Sequence, residues 1–419
     1  MLPLARALVQ DGHRVVWYAG RRFCPDIASV GAEFIPTTRA DDVIANRSMK
    51  RRRRSTNGPR AIRESFATFF LGQAETQLDD LLEITGRQRV DAVLCDLLMF
   101  APQLLHAVGG PPWATLGDGP LEFDDELAPP FGPGYLPDQS LWGRQRDFVV
   151  RRTARRLVYG PLQLQWQEIQ ARNGIRTKLA AVQERISPYL HLQACPPGFE
   201  YPRHRLPPQL HWIGVMRPVP SQGWTEPTWL PTLADAGRPV ILITQGTMRP
   251  DPNELIIPAI KALADHPVQL LVLTGQPNSH AVDRALRNLG STRAAITVCG
   301  YLPYERVLPM VSCMVTNGGY TGVTLALSYG VPLVQIGRTE EKREVGARIV
   351  WSGTGRRIRG RRPRPSAIAR AVSDVLMNPS YRTAAERLRD EISRNGDAPG
   401  RAAALISRLA TTHQPVHRR

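Results

Sequence analysis

The strongest constraint on what this chain can fold into is the stretch Val315-Thr316-Asn317-Gly318-Gly319-Tyr320-Thr321-Gly322-Val323, followed by Ala326-Leu327-Ser328-Tyr329-Gly330-Val331-Pro332. An apolar run from Val311 to Val315 delivers the chain to a glycine-rich turn. A helix follows, and Gly330 and Pro332 lead into a second strand. Glycines at 318, 319 and 322 let backbone N–H groups approach an anion closely, and the helix offers its positive end. The pattern predicts a diphosphate site that needs no metal ion. A Gly-rich turn alone is also an ordinary turn, so the surrounding elements decide.

Those elements alternate. Leu2 to Gln10 carries a helical apolar stripe, and strands follow at Arg14–Tyr18 and Gly31–Pro36. Arg60 to Leu82 reads as a long helix, Asp91–Asp96 as a buried strand ending in a carboxylate, Pro102–Val108 as a helix and Trp113–Leu116 as a strand. This order predicts a doubly wound parallel sheet. Residues 119 to 140 are rich in Pro and Gly and read as a loop, Arg144–Asn173 as helical, and Leu190–Cys195 as a strand. A second alternation begins at Pro239–Thr244 and passes through strands at Val268–Leu273 and Ala295–Cys299 before reaching the Asn317 turn. The expected division is a first domain over 1–205, a linker over 206–225, a second domain over 226–385, and a terminal helix and tail over 386–419. Ligands of open α/β sheets sit beyond the carboxyl ends of the strands, so the cleft between the halves is the expected site.

Composition excludes several classes. At 419 residues and 42% hydrophobic the chain can build two ordinary cores and is not disordered. No run of eighteen apolar residues spans a membrane. Five scattered cysteines lack any Cys-x-x-Cys spacing, and Cys95, Cys299 and Cys313 lie in apolar runs, which fits buried thiols in a reducing cytoplasm. The net charge is +17, yet only four residues are lysine, so the basicity is nearly all arginine. The one dense run, Lys50-Arg51-Arg52-Arg53-Arg54, reads either as a solvated loop or as a contact with an anionic membrane surface or acidic acceptor. No nucleic-acid module or aromatic interleaving accompanies it.

With Gly318-Gly319, Ala326-Leu327, Gly330-Val331-Pro332, Glu341 and Ala347-Arg348 in this order, the segment resembles the donor-binding signature of family 1 glycosyltransferases, in the bacterial branch that glycosylates macrolides and other lipophilic molecules. The resemblance implies the GT-B arrangement, two facing Rossmann-like domains with a C-terminal helix crossing back to the first. It implies a nucleotide sugar and a lipophilic small-molecule acceptor as partners, no cofactor and no metal. Gly246 and Thr247, ending a strand, match the residues placed against the diphosphate. Tyr301 matches the aromatic that stacks on the nucleobase, with a core aromatic as the alternative. Asn317, Gly318, Gly319, Thr321 and Gly322 form the phosphate turn. Glu341 and Lys342 stand where sugar hydroxyls are held, with a solvated helix start as the alternative.

The chain departs from the signature at four places. Asn317 replaces a His and cannot add positive charge. Thr321-Gly322 replaces a Gly-Thr pair, Leu325 a ribose-binding Glu, and Lys342 a Gln.

Inverting transfer needs a base for the acceptor hydroxyl. In the family that base is a His in a loop after the first strand, oriented by a strand-end Asp. Asp96 matches the Asp. No residue matches the His, because the chain opens inside the helix that normally follows that loop. The resemblance therefore implies a missing opening strand and loop of on the order of fifteen to twenty residues. His13 and His106 read as structural. The expected function is hexose transfer to a hydroxyl. A non-catalytic sugar-nucleotide binder and a sugar-nucleotide epimerase remain alternatives.

Overall fold

The computed structural model describes residues 1–41, 59–176, 179–218, 224–235, 237–246, 251–276, 279–337, 341–360 and 363–418. The Lys50–Arg54 run and Thr247 lie outside the described residues.

The first half carries β1 (Val16–Ala19), β2 (Glu33–Pro36), β3 (Val93–Asp96), β4 (Trp113–Gly117), β5 (Leu190–Gln193) and β6 (Leu210–Trp212), all paired in parallel. The second half carries β7 (Val240–Thr244), β8 (Gln269–Leu273), β9 (Ala295–Cys299), β10 (Cys313–Thr316), β11 (Leu333–Gln335) and β12 (Gly355–Arg357). These six form one parallel sheet in the order β12-β11-β10-β7-β8-β9.

The second half shows why its strands are unbroken apolar runs. Val240 and Leu242 enter one core with Met314 and Leu333, while Ile241 and Ile243 enter the other with Cys313, Val315 and Val334. Helices Ile256–Leu263 and Pro365–Met377 cover the second face. Side chains alternate across the pleat, so a strand buried on both faces has no polar side to show. Each such Leu, Ile or Val contributes roughly 1.5–3 kcal/mol.

The first half differs from the expected single sheet. Its strands fall into two sheets, β1-β2 and β3-β4-β5-β6. Among the described residues β1 bonds only to β2 and β3 only to β4, so side chains and helices join the two. Asp80, on helix Ala74–Arg87, is one tie. It accepts from Tyr18 Oη at 2.8 Å and from the backbone N–H groups of Thr38 and Arg39 at 3.1 Å each. Burial opposes its charge, but hydrogen bonds from Thr38 and Tyr18 hold its carboxyl well below the usual range.

Other boundaries also shift. The long helix expected over Arg60–Leu82 is two, Pro59–Phe69 and Ala74–Arg87, separated by a tight turn at Leu71–Gln73. Leu210–Trp212, assigned above to the linker, is the edge strand of the first half. The helix over Leu141–Ala154 runs through a wide π turn at Arg155–Tyr159 into Gly160–Arg172. Pro161 has no N–H for the regular ladder, and the π turn sits immediately before it.

The terminal stretch is two helices, Pro379–Arg394 and Ala398–Thr412. Ala385 and Leu388 of the first pack in the second-half core, whereas Ala402, Ala403, Ile406 and Leu409 pack against Leu4, Leu8 and the β4–β5 strands of the first half. The chain thus returns to its starting domain, as GT-B architecture requires. Among the described residues, no helix is long and apolar enough to cross a membrane.

Candidate active site

The sheet order places the site. From β7 the chain winds outward through β8 and β9, then returns to β10 on the other side of β7. The switch point of the sheet therefore lies between β7 and β10, where Thr244 and Thr316 are register partners. Gly246 and the Asn317 turn follow these two strands directly.

Gly318 has φ +87°, and a Cβ there would lie 2.8 Å from Gln335 Cγ, so only glycine fits. Gly318 N–H donates to Thr316 Oγ1 at 3.2 Å and Gly319 N–H to Asn317 Oδ1 at 3.2 Å. These short local bonds fold the turn. Asn317 Nδ2 donates to the carbonyl of Gln245, tying the β10 turn to the β7 turn. Asn317 therefore does structural work at the place where an imidazole would meet phosphate. Helix Tyr320–Leu327 begins immediately, with no side chain capping it. The first-turn N–H groups of Tyr320, Thr321 and Gly322 have no acceptor within the helix, as at any helix start. Unpaired N–H groups at a helix start are able to receive an anion.

Gly246, Tyr301, Leu325, Glu341 and Lys342, also singled out in the sequence, lie in the same half. Gly246 is exposed, with φ +70°. Tyr301 follows β9 and is 62% exposed, so it is not a core aromatic. Lys342 is 7% exposed at the start of helix Lys342–Trp351, so a solvated helix start does not describe it, and Glu341 beside it is half-buried. Leu325 is in the core and offers no polar group.

A second group of residues lies at the carboxyl ends of β3, β4 and β5. Asp96 ends β3, is half-buried, and accepts from Leu98 N–H at 2.7 Å. Burial, then the charge of nearby Asp118, push its carboxyl up to about 6. No histidine is bonded to it among the described residues. His106 is bonded to Tyr189 Oη at 2.9 Å and to the carbonyls of Gly110 and Pro111, and His13 to Ser407 Oγ at 2.6 Å. Neither is bonded to Asp96 among the described residues.

The two sets of strand ends are held face to face. Gln193, ending β5 and fully buried, donates through Nε2 to Tyr320 Oη at 3.3 Å and to the Gly119 carbonyl at 2.8 Å. The ring of Tyr320 packs beside Phe199, with centroids 6.1 Å apart. The Asn317 turn is thus pinned to the first half by the Tyr320 that follows it.

The 119–140 segment makes a second bridge. Glu344 Oε1 accepts from Gly132 N–H at 2.8 Å and Gly134 N–H at 2.7 Å, and Arg357 Nη1 donates to the Gly134 carbonyl at 2.6 Å. Sequence reasoning missed Asp118, Gln193 and Glu344. Asp118 carried a signal, since it follows strand Trp113–Gly117 as Asp96 ends its own. The others carried none, because their partners are distant in the chain.

Known proteins resemble this arrangement over nearly its full length. Residues 280–403 match the family described as erythromycin biosynthesis protein CIII-like, C-terminal domain. The chain is 34% identical over 414 residues to 4'-demethylrebeccamycin synthase of Lentzea aerocolonigenes, covering 98% of this chain and 96% of that protein. The calicheamicin glycosyltransferase CalG4 superposes with a TM-score of 0.74 at 20% identity, over 99% of this chain and 95% of that one. The glycosyltransferase VinC, solved in complex with dTDP, superposes with a TM-score of 0.68 at 22% identity, over 98% and 96%. Coverage this close to end to end gives no support to the expected loss of an opening segment.

Proposed function

We infer the reaction from one premise: the chain belongs to the family 1 glycosyltransferases of GT-B fold, in the branch that acts on natural products. It is a nucleotide-sugar glycosyltransferase whose acceptors are small natural-product molecules. Beyond that, we propose that it moves a hexose to a hydroxyl of a lipophilic acceptor with inversion at the anomeric carbon. The observation that supports this reading is the approach of the two sets of strand ends. The uncapped helix start at Tyr320 is bonded through Tyr320 Oη to Gln193 at the end of β5, in the sheet whose strand β3 ends in Asp96 with its raised pKa.

In this reading the diphosphate lies on the N–H groups of Tyr320, Thr321 and Gly322, with Gly246 on its other side. Tyr301 stacks on the base, and Glu341 and Lys342 meet the sugar. The acceptor lies against the 119–140 segment. Asp96 takes the hydroxyl proton, the acceptor oxygen bonds to the anomeric carbon, and the bond from that carbon to the phosphate oxygen breaks on the opposite face. The leaving diphosphate gains charge as the bond breaks, and the helix start stabilises it there. Asp96 acts directly because no imidazole accompanies it among the described residues. A carboxylate with a pKa near 6 is a stronger base than an ordinary one. The reading also retains peripheral contact with an anionic membrane surface.

The test is product formation by the purified chain with UDP- and dTDP-hexoses and a panel of polycyclic and macrolide aglycones, with the anomeric configuration read by NMR. An inverted glycoside that is lost in Asp96→Asn supports the reading. Sugar-nucleotide turnover without acceptor, or a retained configuration, rejects it.

A further inference from the structure

Helix Leu141–Ala154 buries only one side. Its inner face carries Gly143, whose Cβ position lies 2.3 Å from the Asp138 carbonyl. Arg146 lies over the Tyr135 ring at 4.4 Å, and Arg151 Nη2 donates to the Asp125 carbonyl at 2.7 Å. These contacts fix the helix onto the 119–140 segment.

The outer face is unusual. Leu141 is 84% exposed, Trp142 85%, Phe148 59% and Val149 50%. Leu141 and Phe148 are seven apart, as are Trp142 and Val149, so they form two adjacent rows on one face. Arg152 and Arg156 continue that face and are exposed, and Arg144 flanks it. Between residues 141 and 159 there are six arginines and one acid, Asp147, which is buried and paired with Arg146. None of Arg144, Arg152 and Arg156 has an acidic partner among the described residues.

We propose that this face docks on an anionic lipid surface. Apolar side chains with a Trp on one helix face, interleaved with arginines, match the headgroup layer. There the rings and aliphatic chains sit below the phosphates and the guanidiniums sit on them. A protein partner would have to supply an acid to each of Arg152 and Arg156 inside an apolar strip, a costly arrangement unless fully paired. The chain's net charge of +17 favours the same surface. Because the helix lies on the segment bridging the two halves, docking brings the cleft beside the phase in which a lipophilic acceptor dissolves. That last consequence rests on the proposed acceptor class, whereas the docking does not.

The test is flotation of the full chain with vesicles of phosphatidylcholine alone and of phosphatidylcholine and phosphatidylglycerol in equal parts. The chain should float with the anionic vesicles only, and added salt should weaken the binding. Trp142→Ser with Phe148→Ser, and separately Arg152→Glu with Arg156→Glu, should each lower vesicle affinity at least about tenfold. Thermal unfolding and turnover of a water-soluble acceptor should stay unchanged, since all four side chains face solvent. Vesicle binding that survives both double variants assigns it to another basic region and overturns the proposal. So does a failure to bind anionic vesicles, or a self-association that the Trp142→Ser, Phe148→Ser variant abolishes in place of lipid binding.

Discussion

Arg348 Nε donates to Glu200 Oε1 at 2.9 Å across the boundary between the two halves, with both side chains 1% exposed. Arg348 also bonds Glu344 Oε2 at 3.1 Å and lies over the Tyr201 ring at 4.4 Å. Glu200 also takes Leu121 N–H at 3.0 Å and Arg203 Nη1 at 3.2 Å. One buried network thus holds the bridging segment, the second-half helix and the start of the crossing in a single arrangement.

Removing one partner leaves a buried charge exposed to its full desolvation cost. Arg348→Met should lower unfolding stability by about 3 kcal/mol or more in urea titration, and adding Glu200→Gln should restore part of the loss. An unchanged midpoint for Arg348→Met would show the network to be energetically idle.

The same network sets an acid response. Burial opposes the charge on Glu200, but Arg348 and Arg203 outweigh it and hold its pKa below the ordinary value. A lowered folded pKa gives stability that is present above the unfolded value, about 4.3, and is lost as pH falls through the folded value. Wild type should therefore lose stability below about pH 4.3, and Glu200→Gln should show a flatter profile there, as read by melts across the acid range.

Asp96 has the opposite sign. Its folded pKa, raised to about 6 by burial and by Asp118, means the native state holds a proton that the unfolded chain has released. Its contribution to stability falls as pH rises from the unfolded value toward 6. Asp96→Asn should be more stable than wild type at neutral pH, with the gap closing in acid. The rate with a sugar acceptor pair should rise through pH 6 in wild type. Asp96→Asn should lose that limb and about 100-fold or more in kcat. A variant retaining wild-type turnover removes Asp96 from the chemistry.

Tyr301 tests the nucleotide side. An exposed ring that stacks on a base should contribute about 1–3 kcal/mol, so Tyr301→Ala should weaken UDP or dTDP binding by roughly tenfold to a hundredfold in calorimetry. Tyr301→Phe should bind as wild type does. Equal affinities for all three would leave Tyr301 as an ordinary surface aromatic.

Gly134 tests the bridge. It has φ +68°, and a Cβ there would lie 2.4 Å from the Arg343 carbonyl. Gly134→Ala should free the segment from helix Lys342–Trp351, costing about 1–3 kcal/mol of stability and raising KM for the acceptor more than for the nucleotide sugar. Equal effects on both constants would argue that the segment does not wall the acceptor.

The sequence by itself determined what is encoded locally. The apolar runs of β7, β8 and β10, the glycines at 318 and 330 and the strand-end position of Asp96 depend only on neighbours a few residues away. Pleat alternation, turn geometry and helix starts are short-range physics, so the second-half fold and its glycine turn could be read directly. Only the tertiary structure decided how the halves meet. Gln193 finds Tyr320, Arg348 finds Glu200 and Gly134 finds Glu344 across sequence separations of 127, 148 and 210 residues. A buried polar side chain is tolerated only where its partner arrives, and no local pattern says which partner that is. The same holds for Asn317, whose amide is spent on Gln245, and for Lys342, which the packing of its helix buries.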